Sequence, residues 1–305
     1  MHYSVLLEES IKHLNLKENS VIVDCTLGYA GHSSRVLKEI KKGFLFAFDQ
    51  DDEAIKYSKE KLDKIASNYE IIRSNFVNLK EELNKRNINE VDGILYDLGV
   101  SSPQLDNKER GFSFHADARL DMRMDTKQKL SAYEVVNNYS YDDLVRIFRV
   151  YGEEKFATSI AKNIITTREN KSIETTLELA EIIKNSVPEK YRREKHPARK
   201  VFQAIRIEVN NELNVFENSL NQALDLVKVG GRICVITFHS LEDRICKDIF
   251  KRVSSVDPSL KNLPIIPEEY QPKFKLVANI EPSAHELEEN NRSRSARLRV
   301  IERVR

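Results

Sequence analysis

Cysteine is scarce in this chain: Cys25, Cys234 and Cys246 stand far apart with no C-x-x-C spacing. That excludes a disulfide framework and a thiolate metal site, and it points to the cytosol. Long apolar runs are missing as well. None approaches the roughly 18 to 20 residues of a membrane span, and Met1-His2-Tyr3-Ser4 lacks the basic and apolar regions of a signal peptide. Histidine is sparse and scattered, at positions 2, 13, 32, 115, 196, 239 and 285, with neither i, i+4 nor H-x-H spacing. No metal site and no Ser-His-Asp grouping is expected from such a distribution. The expectation is a soluble cytoplasmic protein with no membrane partner.

What is present starts with Val21-Ile22-Val23-Asp24-Cys25-Thr26-Leu27-Gly28-Tyr29-Ala30-Gly31-His32-Ser33. An apolar strand ends in an acid, passes through a turn of small residues and reopens as a helix, as in Rossmann-like sheets that offer backbone N–H groups to a nucleoside. The turn has too few glycines for G-x-G-x-x-G and no Lys-Ser/Thr for a Walker A loop, so nicotinamide and ATP sites lose ground. The 305 residues, 40% hydrophobic, suffice for one large domain or for a domain with a second attached.

A net charge of +1 conceals local runs. Lys190, Arg192, Arg193, Lys195, Arg199, Lys200 and Arg206 face only Glu194 between positions 190 and 206, and six arginines between 292 and 305 face only Glu302. Polyanion contact and plain solvated surfaces are equally compatible with such runs.

Strand and helix alternate through the first hundred residues. Strands are expected at Val21 to Cys25, Phe44 to Asp49, Tyr69 to Arg73 and Gly93 to Leu98, with helices near Ser33 to Ile40, Asp52 to Ile65 and Asn78 to Lys85. From Ser101 to about Arg199 only helical periodicity is seen, which marks a helical insertion. A long helix from about Val201 to Val229 is expected to stop at Gly230-Gly231. Then come a strand at Arg232 to Phe238, a helix at Leu241 to Arg252 capped by Ser240, and strands at Lys273 to Ile280 and Ser295 to Val304, the last with Leu298, Val300 and Val304 on one face. The final pair should be antiparallel. Five parallel strands finished by an antiparallel hairpin are the Rossmann-like α/β sheet of S-adenosylmethionine-dependent methyltransferases. The expected division is 1–104 with 201–305 for this domain and 105–200 for an all-helical inserted domain.

Asp49 ends the second strand about 20 residues past the turn, where a carboxylate accepts ribose hydroxyls, though Asp51 as a helix cap also explains the acidic pair. Phe76 after the third strand suits either adenine stacking or the core. Asp97 and Gln104, at the end of the fourth strand, would face the methyl donor. Asp97 could accept an N–H of an exocyclic amine, whose lone pair is otherwise conjugated into its ring, or could serve only to tie down the Gly99 turn. His239, in Phe238-His239-Ser240-Leu241-Glu242-Asp243, is either a pocket residue or a structural one.

In order along the chain, the blocks Asp24 to Ser33, Phe48-Asp49-Gln50-Asp51, Asp97 to Gln104, Arg110-Gly111-Phe112-Ser113-Phe114, Leu120-Asp121-Met122-Arg123-Met124-Asp125, Phe202 to Asn210, Phe238 to Arg244 and Arg292 to Arg299 resemble the bacterial ribosomal RNA small subunit methyltransferase H family. The likeness runs from His2 to the end, and it implies that the 105–200 insertion is a substrate-recognition domain. It implies S-adenosylmethionine-dependent N4-methylation of cytidine 1402 in the decoding region of 16S rRNA, with that RNA in the small subunit as partner. By motif, Ala30, Gly31, His32, Asp49, Phe76, Asp97 and Gln104 are similar to the family's cofactor contacts, and Asp97 is the candidate catalytic residue. Arg192, Arg193, Arg199, Lys200, Arg292 and Arg294 would hold RNA phosphates, and Arg206, Asn210 and His239 are candidates for the cytidine side, with helix packing the competing role for Arg206. Two positions depart from the family pattern: Ala30 replaces a second glycine, which strains the backbone if φ is positive, and Arg119 replaces a proline. A same-fold enzyme acting on an amine of DNA or protein, or a non-catalytic RNA-binding assembly factor, are the alternatives. The sequence leaves open whether the protein forms a homodimer.

Overall fold

Val21–Asp24, Phe44–Asp49, Tyr69–Arg73, Val91–Asp97 and Val227–Thr237 form β1 to β5 in the computed structural model, and Phe274–Ile280 and Arg297–Arg303 form β6 and β7. The sheet order is β3-β2-β1-β4-β5-β7-β6. β1 to β5 are parallel, while β7 pairs antiparallel with both β5 and β6. The structure describes residues 4–194, 196–260 and 264–305; His2 and Lys195, named above, lie outside the described residues. Among the described residues no helix is long and apolar enough to cross a membrane.

The central parallel strands are largely apolar because both of their faces are covered. Val23, Phe46, Phe48, Ile94, Tyr96, Ile233 and Val235 point into one core, and their neighbours Ile22, Leu45, Ala47, Leu95, Cys234 and Ile236 into the other. The cysteines take part as core residues: all three are free and buried, and burial pushes the Cys234 thiol up to about 12. The chain divides into two compact units, Met1–Gly99 with Leu213–Arg305, and Val100–Glu212. The second unit is helical, with a core of its own that includes Leu120, Met122, Ile147, Phe148, Ile160, Ile183, Phe202 and Ile205.

Several expected elements are corrected. The long helix is two, Ala198–Asn210 and Glu212–Leu226, separated by Asn211 at φ 49° and ψ 37°, a left-handed conformation that asparagine tolerates. Gly230-Gly231 do not end a helix. They lie within β5, where the pairing passes from Val91↔Val227 to Gly93↔Arg232 and leaves Lys228 to Gly231 opposite Asp92 alone. Gly230 supplies φ +84° there, and a Cβ on Gly231 would come within 2.7 Å of the Asp92 carbonyl. The helix Ser240–Ser254 is capped by His239, not Ser240. Val304 falls beyond β7 and is 38% exposed; Leu298 and Val300 are buried on one face of the strand and Ile301 on the other.

A helix at Leu7–Leu14 had no sequence signal, since Leu6 before it adopts φ 49° without a side-chain cap. It packs Ile11 and Leu14 into the second sheet core.

Candidate active site

The carboxyl ends of parallel strands are where open α/β sheets bind ligands. Here β1, β2 and β4 end in Asp24, Asp49 and Asp97. Hydrogen bonds join the three ends.

Asp24 is buried and spends its carboxylate on the turn. One oxygen accepts from the Thr26 amide at 3.0 Å and the other from Ser33 Oγ at 2.6 Å, which locks the helix Gly31–Glu39 onto the strand. Thr26 Oγ1 in turn accepts from the Asp97 amide at 2.7 Å, tying β4 to the same turn. Asp49 Oδ2 accepts from the Gly28 amide at 2.8 Å and Oδ1 from the Asp51 amide at 2.9 Å. Burial pushes the Asp49 carboxyl up to about 6, against these bonds. Asp51 is the cap of Asp52–Leu62, and Asp49 holds the Gly28 and Asp51 amides instead. Ser58 Oγ and Lys61 Nζ, which no sequence pattern singled out, hold the Gly28 and Tyr29 carbonyls at 2.7 and 3.1 Å.

Ala30 has φ 57°, the conformation in which its methyl group is a strain, and it is fully buried. Gly31 beside it admits no Cβ, which would stand 1.7 Å from Ser4 Oγ. His32 is buried, with Nε2 3.2 Å from the Val5 carbonyl and Nδ1 3.5 Å from Asp97 Oδ2. A carbonyl only accepts, so Nε2 carries the hydrogen and Nδ1 presents its lone pair to Asp97. Burial also lowers the His32 pKa, which keeps the ring neutral.

Asp97 is the outlier of the set. Its Oδ1 is buried with no hydrogen-bond partner among the described residues, although the side chain as a whole is 26% exposed. Burial, with the charges of Asp24 and Glu242 nearby, pushes its carboxyl up to about 8. Orphaned, strongly perturbed carboxylates cluster at functional sites. Phe76 is half-buried, edge-on to Tyr96 at 5.7 Å, and packs against the core. His239 is nearly buried; its Nδ1 accepts from the Glu242 amide at 3.4 Å, and its Nε2 lies 3.0 Å from Glu242 Oε1. Arg292 and Arg294 are exposed, in the turn Asn291–Ser295.

The remaining candidates belong to the helical unit. Gln104 is the third residue of a capping box: its Oε1 accepts from the Ser101 amide at 3.0 Å, and its amide donates to Ser101 Oγ at 3.3 Å. The S-x-x-Q spacing was there to be read in the sequence. Arg206 makes a two-pronged ion pair with Glu212, at 2.8 and 3.0 Å, and both side chains are mostly buried. Arg192 donates to the Val187 carbonyl, Lys200 to the Glu153 carbonyl, and Arg193 pairs with Glu189 while staying 78% exposed. Arg199 is exposed. Arg119 lies between amides that carry the local bonds, those of Ala118 and Leu120, and stacks over Tyr133 at 5.9 Å.

Asn210 is committed on both sides of its amide. Nδ2 donates to the Met122 carbonyl at 2.8 Å, and Oδ1 accepts from the Met124 amide at 2.9 Å, clamping a loop in which Met122 sits at φ 60°. Asn210→Ala is therefore expected to destabilise the protein by about 2 kcal/mol, since it leaves a backbone donor and acceptor unpaired. Urea unfolding checks this; an unchanged midpoint would remove the clamp.

Comparison with known proteins follows the same lines. The MraW methylase family matches over residues 1–304. The ribosomal RNA small subunit methyltransferase H of Exiguobacterium sibiricum is 56% identical over 306 residues, which cover 99% of this chain and 98% of that protein. Among solved structures, an rRNA methylase from Streptococcus thermophilus aligns over 100% of this chain and 99% of its own at 11% identity and a TM-score of 0.46. TrmN from Thermus thermophilus aligns over 98% and 48% at 12% identity and a TM-score of 0.43.

Proposed function

This chain belongs to the MraW methylase family, and from that premise we propose that it transfers a methyl group from S-adenosylmethionine to N4 of cytidine 1402 in 16S rRNA of the small ribosomal subunit. The observation that carries the reading is the buried, unpartnered Oδ1 of Asp97 at the end of β4.

The strand ends suit the cofactor. Gly28, at φ +50°, leaves nothing nearer than 3.9 Å to a virtual Cβ, so the turn is open to close approach, and Asp49 retains lone pairs for ribose hydroxyls beyond the two amides it accepts. Ala30, Gly31 and His32 shape the turn, and Phe76 supplies an aromatic edge. When bound, S-adenosylmethionine supplies an electrophilic methyl group on a sulfonium.

The chain's own residues must make a poor nucleophile better. The cytosine amine is conjugated into its ring; an ionised Asp97 accepting its N–H favours the turn toward sp3 geometry that frees the lone pair. His32 contributes from behind, because its Nδ1 lone pair and Asp97 Oδ2 face each other across 3.5 Å and share one proton below the pKa of the acid. After transfer the surplus amine proton leaves to Asp97 or to water. Phosphate contacts from Arg192, Arg193, Arg199 and Lys200, and from Arg292 and Arg294, position the RNA and offset the few kcal/mol needed to unstack the base. Arg206 and Asn210 remain candidates for the cytidine side, and within the helical unit Arg206 is engaged by Glu212 and Asn210 by the Met122–Met124 loop. His239 stays a candidate for the cytidine side, with its ring held by Glu242. The reading places the protein in the cytoplasm with its ribosomal acceptor.

The test is transfer of labelled methyl groups to small subunits that lack the modification, beside duplex DNA and a mixed protein acceptor. Label in ribosomal RNA alone is expected. Label in DNA or protein would favour the other amine acceptors, and none anywhere, with cofactor binding intact, would favour an assembly factor.

A further inference from the structure

The helical unit carries an aromatic cluster with no part in the chemistry above. Phe114 ends the Arg110 to Phe114 block and His196 precedes the helix Ala198–Asn210, yet their rings stack with centroids 4.4 Å apart and planes 26° from parallel. His115 joins both, 4.4 Å from Phe114 and 5.5 Å from His196. Buried Phe202 meets Phe114 edge-on at 5.4 Å and anchors the group to the helical core. Three rings in mutual contact, one pair of them stacked, would ordinarily be covered. Here His115 and His196 are exposed and Phe114 is half-exposed.

The imidazole of His196 is set for recognition. The Ala198 amide donates to its Nδ1 at 3.2 Å, so Nε2 carries the hydrogen and is a donor for a ligand. Burial, followed by the charges of His115, Arg199 and Lys184, lowers its pKa and keeps the ring neutral. Lys184 lies 3.5 Å from Glu181 and Arg199 is exposed. Flat exposed rings beside cations match the two parts of a nucleotide, a base with a π-face and an anionic phosphate. Unpaired bases are held in this way by aromatic side chains, with little regard to sequence.

We propose that Phe114, His115 and His196 form a stacking platform for an unpaired nucleobase of the RNA substrate, with Arg199 and Lys184 facing its phosphates. The platform rests on the rRNA reading and adds a binding site to it, apart from the reacting cytidine.

The experiment measures binding of a single-stranded RNA spanning the decoding region to the full-length protein, wild type and the double variant His115→Ala/His196→Ala. Both rings are exposed, so the variant is expected to fold; unchanged S-adenosylmethionine affinity controls for that. RNA affinity is expected to fall about tenfold, in line with the loss of one stacked base, with the slope of affinity against salt unchanged. In wild type, the His196 pKa followed by NMR is expected to rise when RNA binds, because a phosphate replaces repulsion with attraction. Unchanged RNA affinity in the variant, or a loss seen only as a shallower salt slope, overturns the platform while leaving the methyltransferase reading intact. Failure of the wild type to bind this RNA also overturns the platform, whereas the methyltransferase reading stands or falls separately on methyl transfer to small subunits.

Discussion

Asp97→Ala is expected to lower methyl transfer by roughly 10³-fold, with little change in cofactor affinity, because the substitution removes an interaction made to the reacting amine. Asp97→Asn should do nearly as much harm, since its amide can offer only one acceptor and is never an anion. The same substitution should stabilise the fold. With its carboxyl held at about 8 instead of the usual carboxylate range, Asp97 keeps a proton in the native state that the unfolded chain gives up. Its contribution is therefore fully present below the unfolded pKa, near pH 4, and is lost as pH rises through about 8. Asp97→Asn escapes this loss, for a gain of about 2 kcal/mol at pH 8, discounted for the part of the side chain that touches water. Higher stability with lower activity is the signature of a group strained for function. Equal stability of both proteins at pH 5 and pH 8 would show that Asp97 is an ordinary surface carboxylate. The kcat/KM of the wild type should likewise rise with pH up to about 8.

Asp49→Ala carries the second largest effect, a weakening of S-adenosylmethionine binding by roughly 10–100-fold, the usual worth of a charge-assisted hydrogen bond in a shielded place. Asp49→Asn is expected to be almost as damaging. Both carboxylate oxygens accept backbone N–H groups, from Gly28 and Asp51, so an amide NH2 must face one donor with another. The pH dependence follows from the sign of the shift. The ionised acid is the acceptor, and with its pKa at about 6 affinity should hold above pH 7 and fall as pH drops through 6. Calorimetric titration at several pH values reads this directly, and a flat profile in the wild type would remove Asp49 from the ribose.

The sheet was legible because its central strands are largely apolar and β1, β2 and β4 end in acids, a pattern that survives without any structure. Phe44–Asp49 and Tyr69–Arg73 have the same limits in both readings. Breaks made by left-handed residues were not legible: Leu6 and Asn211 each bend the chain at positive φ, and neither is a glycine. At the site, residue types at strand ends pointed to Asp49 and Asp97. The hydroxyl of Thr26, which joins Asp24 to Asp97, gave no sign, since its role depends on two strands being neighbours. Arg206 and Asn210 looked like free polar groups on a long helix. Only the break at Asn211, which brings Glu212 to Arg206, and the return of the Met122–Met124 loop reveal what occupies them.

The central claim is settled most directly by mass spectrometry of digested nucleosides from unmodified small subunits after incubation with the protein and isotope-labelled S-adenosylmethionine. N4-methylated cytidine carrying the label, absent when Asp97→Ala replaces the wild type, is the expected result. Label on any other nucleoside, or N4-methylated cytidine formed equally well by Asp97→Ala, would contradict it.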